Sequence, residues 1–177
     1  MMFRRTFRTL TVLLCLASLA FAAKVPRKLA DVTMNRPGQK PIRLAEYKGK
    51  IMLLALLSTD CQHCIDTVPI LNRLQKDYQA KGVQVVAATV NPGSVTLVND
   101  FVSRYRPAFP IASMSEEETM KVADFAKDDL PYVPIFIAVD AGGTVVNQLF
   151  GDSPFFQATE KNTRLLLDNL ISKRDGK

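Results

Sequence analysis

Tryptophan is absent from these 177 residues, histidine occurs once, at position 63, and cysteine only three times. Only Cys61, His63 and Cys64 fall together, with Cys15 far off near the start of the chain, which is one short of the four ligands that a structural zinc site takes. Also missing is any basic run interleaved with aromatics. The formal charge of +6 is partly a matter of position: residues 1–23 hold Arg4, Arg5 and Arg8 and no acid, so the remainder carries 20 basic against 17 acidic residues, or +3. So mild and scattered an excess excludes a nucleic-acid footprint. There is no internal repeat and no low-complexity segment. The longest apolar run, Leu10–Phe21, covers about 20 Å as a helix, short of the ~30 Å of a hydrocarbon core, which favours a cleaved leader over a permanent anchor. What remains is one domain with 47% hydrophobic residues, enough to bury a core.

The first feature present is a leader. Met1–Thr9 is basic, Leu10–Phe21 is apolar, and Ala20-Phe21-Ala22 offers small residues at the positions a signal peptidase reads. Residues 1–23 are therefore expected to be a cleaved signal peptide and 24–177 the working domain, in the periplasm or secreted. The alternative is an uncleaved leader that tethers the chain to a membrane. Arg4-Arg5-Thr6-Phe7 also resembles a twin-arginine export signal.

Export changes the cysteine arithmetic. Cys15 lies inside the leader, after a Leu14 too large for a lipoprotein cleavage site. The mature chain then keeps two cysteines, both in Cys61-Gln62-His63-Cys64. A domain of this size needs no disulfide staple, and a bridge closing so short a loop constrains the unfolded chain little. A chemical role is the better reading.

Patterning places that motif. Leu29, Val32 and Met34 alternate loosely, Asn35-Arg36-Pro37-Gly38 is a turn, and Pro41–Leu44 can return as a strand, which predicts an N-terminal hairpin. Ile51–Leu57 reads as a strand buried on both faces. Ser58-Thr59-Asp60 supplies N-cap residues for a helix to about Ala80 with Cys64, Val68, Leu71, Leu74 and Tyr78 on its apolar face. Val83–Val90 is a second buried strand. Ser94 is expected to cap the next helix, which carries Val98, Phe101, Val102 and Tyr105. A short extended segment, Phe109–Ile111, follows. Ser115 with Glu118 forms a capping box for a helix to about Lys127. Ile135–Val139 and Thr144–Phe150 flank a turn at Asp140–Gly143, and Ser153-Pro154 opens a terminal helix with Thr163, Leu166, Leu167, Leu170 and Ile171 inside. The order predicts an α/β domain with a mixed sheet, parallel at the crossovers and antiparallel at the closing hairpin.

From Leu29 to Ile171 the chain resembles the thioredoxin superfamily, and within it the exported TlpA-like disulfide reductases and the related AhpC/TSA redoxins. The residues that carry this are Leu44 with Tyr47-Lys48-Gly49-Lys50, Cys61-x-x-Cys64 after the first core strand, Pro69, Phe109-Pro110-Ile111, Val133-Pro134 and the Asp140–Gly143 turn. The resemblance implies a three-layer α/β/α sandwich and a thiol–disulfide oxidoreductase. In it Cys61, at the helix N-terminus, would be the nucleophile, because free N–H groups and the helix dipole favour a thiolate there. Cys64 would resolve the mixed disulfide. His63 would tune the pair. Val133-Pro134 would be the cis-proline loop, its backbone pairing with an extended substrate. No cofactor or metal is expected beyond the Cys61–Cys64 disulfide itself. The implied partners are thiols and disulfides of exported proteins and a membrane or periplasmic electron donor or acceptor.

Departures from the family's pattern are as informative. Asp60 stands where a tryptophan often precedes the first cysteine, Ala55 falls at the buried acid of thioredoxins, and Thr67 replaces the glutamate common three residues after the second cysteine. Proton transfer at Cys64 is thus open among water, Asp66 and His63. TlpA-like resemblance favours the reductase direction, while the histidine insert leans toward oxidation. Two other functions compete. Ser58-x-x-Cys61 matches the hydroxyl-x-x-Cys core of peroxiredoxins, and Cys61, His63 and Cys64 are ligands suited to Cu(I), as in copper-handling thioredoxin-fold proteins.

Overall fold

Seven consecutive apolar residues with no polar face must be covered on both sides, and every residue of Ile51–Leu57 is buried. That strand is the middle of the molecule. The computed structural model describes residues 25–125 and 132–176; the leader lies outside them. In chain order the elements are β1 (Arg27–Lys28), β2 (Thr33–Met34), β3 (Ile42–Arg43), β4 (Ile51–Leu57), α1 (Gln62–Tyr78), β5 (Val83–Thr89), α2 (Ser94–Tyr105), β6 (Ile111–Ser113), α3 (Glu116–Ala123), β7 (Ile135–Val139), β8 (Thr144–Leu149) and α4 (Thr159–Arg174). Six strands make one mixed sheet in the order β1-β8-β7-β4-β5-β6. It is parallel along β4, β5 and β6 and antiparallel along β4, β7, β8 and β1.

Strand alternation sorts the core into two layers. Ile51, Leu53, Ala55 and Leu57 face α1, α2 and α4 through Val68, Leu71, Leu74, Phe101 and Leu167. Met52, Leu54 and Leu56 face α3 and the N-terminal hairpin through Val122, Met34 and Ile42. The result is the expected three-layer α/β/α sandwich. Among the described residues no helix is long and apolar enough to cross a membrane.

Several local expectations are corrected. The N-terminal hairpin exists, but as a two-residue pairing of β2 with β3 in a sheet of its own, tied to β6 by an Asn35–Ser113 bridge. Ahead of it, β1 adds an edge strand to β8 that the basic, unpatterned segment did not announce. Gly93, not Ser94, is the N-cap of α2, at φ +74°, a left-handed turn that glycine makes without strain. Ser94 is thereby released inward, where its hydroxyl donates to the Thr89 carbonyl (3.0 Å) and pairs with Ser113 (2.8 Å). Ser115 and Glu118 do form the capping box. However, α3 stops at Ala123, where Asp124 turns left-handed at φ +52°; Lys127 lies outside the described residues. Ser153 caps a 3-10 turn, Pro154–Ala158, and α4 begins only after it.

Candidate active site

The loop Ser58–Asp60 leaves the carboxyl end of β4 and delivers Cys61 to the head of α1. The cluster of cap-forming residues before it predicts that one of them closes the helix. Instead Cys61 is itself the N-cap, in extended backbone, and its Sγ accepts the Cys64 N–H at 3.2 Å. Asp60 is taken elsewhere, accepting a hydrogen bond from the Ser58 hydroxyl. The sulfur therefore holds the place of a capping oxygen, next to the unsatisfied N–H groups and positive end of a 17-residue helix.

Cys64, one turn inside, has no exposed surface. Both cysteines are free thiols. Burial, first, and then the hydrogen bond with Cys61 push the Cys64 thiol well above the ordinary range. The Ser58 backbone hydrogen bond pulls the other way, and the charges of Cys61 and Asp60 add to the rise. This gives a pH signature. The folded protein keeps the Cys64 proton after the unfolded chain has lost it, so the unfolded state binds fewer protons and stability falls as pH rises. The reduced protein should lose about 1.4 kcal/mol per pH unit above roughly pH 8.5. Denaturant unfolding of the reduced wild type and of Cys64→Ala, from neutral to alkaline pH, checks this; an equal slope in both rules out Cys64 as its source.

Val133 comes to the same place from the other end of the chain. Its carbonyl oxygen lies 4.0 Å from Cys61 Sγ, and the Val133–Pro134 peptide is cis. Behind it, Gly151 donates its N–H to the Tyr132 carbonyl at 2.7 Å. A Cβ on Gly151 would stand 2.5 Å from the Val133 oxygen and 3.0 Å from that of Tyr132. Gly151 is thus constrained by the close approach of two backbone segments. Tyr132, beside the loop, is 69% exposed.

His63 is exposed on α1, its ring edge-on to Phe156 with centroids 5.5 Å apart and planes at 82°. Phe156 in turn packs against Phe136 and Phe155. Nothing in the sequence around Phe155-Phe156 signals that the 3-10 turn after Ser153 brings Phe156 against His63 of α1. Of the groups considered for proton transfer, Asp66 is exposed and accepts from the Gln62 amide at 2.7 Å. The Thr67 hydroxyl is spent on the His63 carbonyl at 2.8 Å. Ala55 is buried on β4 as the alignment of motifs implies.

Asn91 lies two residues past the end of β5. Its side-chain oxygen accepts the Thr59 N–H (3.0 Å) and its amide donates to the Thr59 hydroxyl (2.9 Å). Next to it a cavity of about 860 Å³ opens where β4, β5 and β6 end, with Ser58, Asn91, Val95, Met114, Val133 and Ile135 among its walls. The carboxyl ends of parallel strands are where open α/β sheets place their ligands. Among the described residues, no three His, Cys, Asp or Glu side chains are grouped so as to hold a metal ion.

Comparison with known proteins agrees with this fold. The thiol-disulfide oxidoreductase ResA of Bacillus thuringiensis subsp. konkukian is 29% identical over 121 residues, 68% of this chain, and the chain spans 66% of that relative's length. ResA of Geobacillus thermodenitrificans is 25% identical over 159 residues, covering 84% of this chain and 88% of its own. A thiol:disulfide interchange protein of the thioredoxin family from Chlorobium tepidum superposes with a TM-score of 0.65 over 81% of this chain and 98% of its own, at 19% identity, and so shares the fold. Residues 25–148, well over half of the sequence and including both cysteines, match one family along their whole length: this chain belongs to the AhpC/TSA family.

Proposed function

We propose that this protein is an exported thiol–disulfide oxidoreductase that works on other exported proteins, in the reductase direction, through Cys61 and Cys64. The observation that carries the proposal is the asymmetry of the pair: Cys61 sits half-exposed at the N-cap, hydrogen-bonded by the Cys64 N–H, while Cys64 is buried with its thiol held protonated. Residues 1–23 would direct export, and residues 24–177 form the working domain.

In this reading an extended substrate segment lies along the Val133 backbone beside Cys61. The Cys61 thiolate attacks one sulfur of the substrate disulfide, that S–S bond breaks, and a mixed disulfide forms. Cys64 then attacks the Cys61 sulfur and its proton passes to the departing substrate sulfur. Two electrons have moved to the substrate, and a Cys61–Cys64 disulfide remains for a membrane or periplasmic donor to reduce. His63 tunes this exchange from the same helical turn, its ring held against Phe156. No cofactor other than the cysteine pair takes part. The peroxide reading loses its distinguishing group, because the Ser58 hydroxyl is buried and donates to Asp60.

The test is turnover and potential together. The wild-type protein should reduce insulin with a thiol donor, and its Cys61–Cys64 couple should sit near the about −270 mV of reducing thioredoxins. A couple near about −120 mV would reverse the direction, and no disulfide exchange in either sense would sink the enzyme reading.

A further inference from the structure

The parallel ladder between β4 and β5 ends at the Leu57–Thr89 pair, with one more backbone bond from Val90 N–H to the Leu57 carbonyl at 2.9 Å. Beyond it the two chains diverge, Ser58–Asp60 toward α1 and Asn91–Gly93 toward α2. The Asn91 side chain spans the gap. A carboxamide carries a donor and an acceptor in one plane, as a peptide group does, and here it presents both to Thr59. The Asn91 side chain thus adds a rung to the ladder where the backbone can no longer supply one. The main chain of Asn91 is held as well, its carbonyl accepting the Ser94 N–H at 3.0 Å.

We propose that Asn91 is a positioning residue for the thiol pair. Its side-chain hydrogen bonds go to Thr59 and to neither cysteine. By clamping Thr59, two residues ahead of Cys61, it sets the direction in which the chain enters α1 and holds Cys61 Sγ over the Cys64 N–H. The carboxamide chemistry is specific: a carboxylate lacks the donor, and a hydroxyl side chain has too short a reach for both partners. Asn91 also walls the cavity that shares Ser58 and Val133 with the thiol site, so a protein segment entering there meets the residue that aligns the nucleophile. The inference rests on the oxidoreductase reading for its purpose, though its geometry stands without it.

Alkylation tests the two separately. The second-order rate of iodoacetamide reaction at Cys61 is measured on the reduced full-length protein, well below the unfolding temperature, so that lost stability alone does not move it. Asn91→Ala should slow the reaction about three- to ten-fold, the loss of two hydrogen bonds' worth of alignment. Thr59→Val, which removes one hydroxyl, should slow it about two-fold, and Thr59→Ser should restore the wild-type rate. The Asn91→Ala/Thr59→Val double variant should be no slower than Asn91→Ala. Wild-type rates in both Asn91→Ala and Thr59→Val overturn the proposal; if Asn91→Ala does not fold, an unchanged rate in Thr59→Val does so alone. Failure of wild-type disulfide exchange would instead strike the proposed function and leave these rates untouched.

Discussion

Cys64→Ala should turn the protein into a trap that accumulates substrate as a mixed disulfide, whereas Cys61→Ala should leave nothing above the uncatalysed background in either direction of exchange. The difference follows from where the two sulfurs sit. Cys61 is half-exposed and capped by a backbone N–H, the setting that stabilises a thiolate and leaves it open to attack on a partner. Cys64 is sealed from solvent and its thiol is held protonated by burial. It can be reached only from inside, by the sulfur of Cys61. Removing Cys64 therefore spares the first bond-forming step and blocks the second. Insulin reduction and thiol oxidation assays measure the turnover, and non-reducing electrophoresis after incubation with a disulfide-bonded protein shows the trapped adduct. Equal activity of Cys61→Ala and the wild type, or adducts formed by Cys61→Ala through Cys64, would invert the assignment.

Gly151→Ala should cost about 1–3 kcal/mol of stability, the range for forcing extra atoms into a packed site, and should slow disulfide exchange as well. The added Cβ meets the Val133 carbonyl carbon at 2.7 Å and its oxygen at 2.5 Å. Both are backbone atoms, so no side-chain rotation relieves the clash. Either β8 and the Val133 loop separate, breaking the Gly151–Tyr132 hydrogen bond, or Val133 is driven toward Cys61. For a chain of this size each kcal/mol lowers the melting temperature by roughly 2–4 °C. Calorimetry with parallel insulin-reduction kinetics measures both effects. A shift under about 0.5 kcal/mol with unchanged kinetics would show that the two segments part without consequence.

Much of this architecture is legible from residue order. The all-apolar Ile51–Leu57, bounded by turn residues, suits a strand buried on both faces, and it forms the central strand under two layers. The face Cys64, Val68, Leu71, Leu74 and Tyr78 is buried to the last residue. The Ser115–Glu118 box is local chemistry and forms as read. The errors are of another kind. Ser58, Thr59 and Asp60 are each good caps by propensity, yet Thr59 is drawn to Asn91 and Asp60 to Ser58, so Cys61 takes the position. Ser94 loses its cap to Gly93 because its hydroxyl is wanted by Thr89 and Ser113 in the interior. Thr59 and Ser94 are taken by Asn91 and Ser113, partners distant in sequence, and Asp60 by its neighbour Ser58, so in both places another hydrogen bond outbids the capping preference.

The same division runs through the site. Sequence alone determined that a C-x-x-C pair follows a buried strand and opens a helix, since period, composition and turn residues are local properties that the chain carries wherever it folds. Only the tertiary structure decided what surrounds that pair. Val133 stands 72 positions from Cys61, Asn91 stands 32 from Thr59, and Phe156 lies far along the chain from His63. The first two pairs meet because the sheet order β7-β4-β5 sets three strand ends side by side, and Phe156 reaches His63 from the turn that follows β8. That order is chosen by how all the apolar faces are buried at once, which no single segment records.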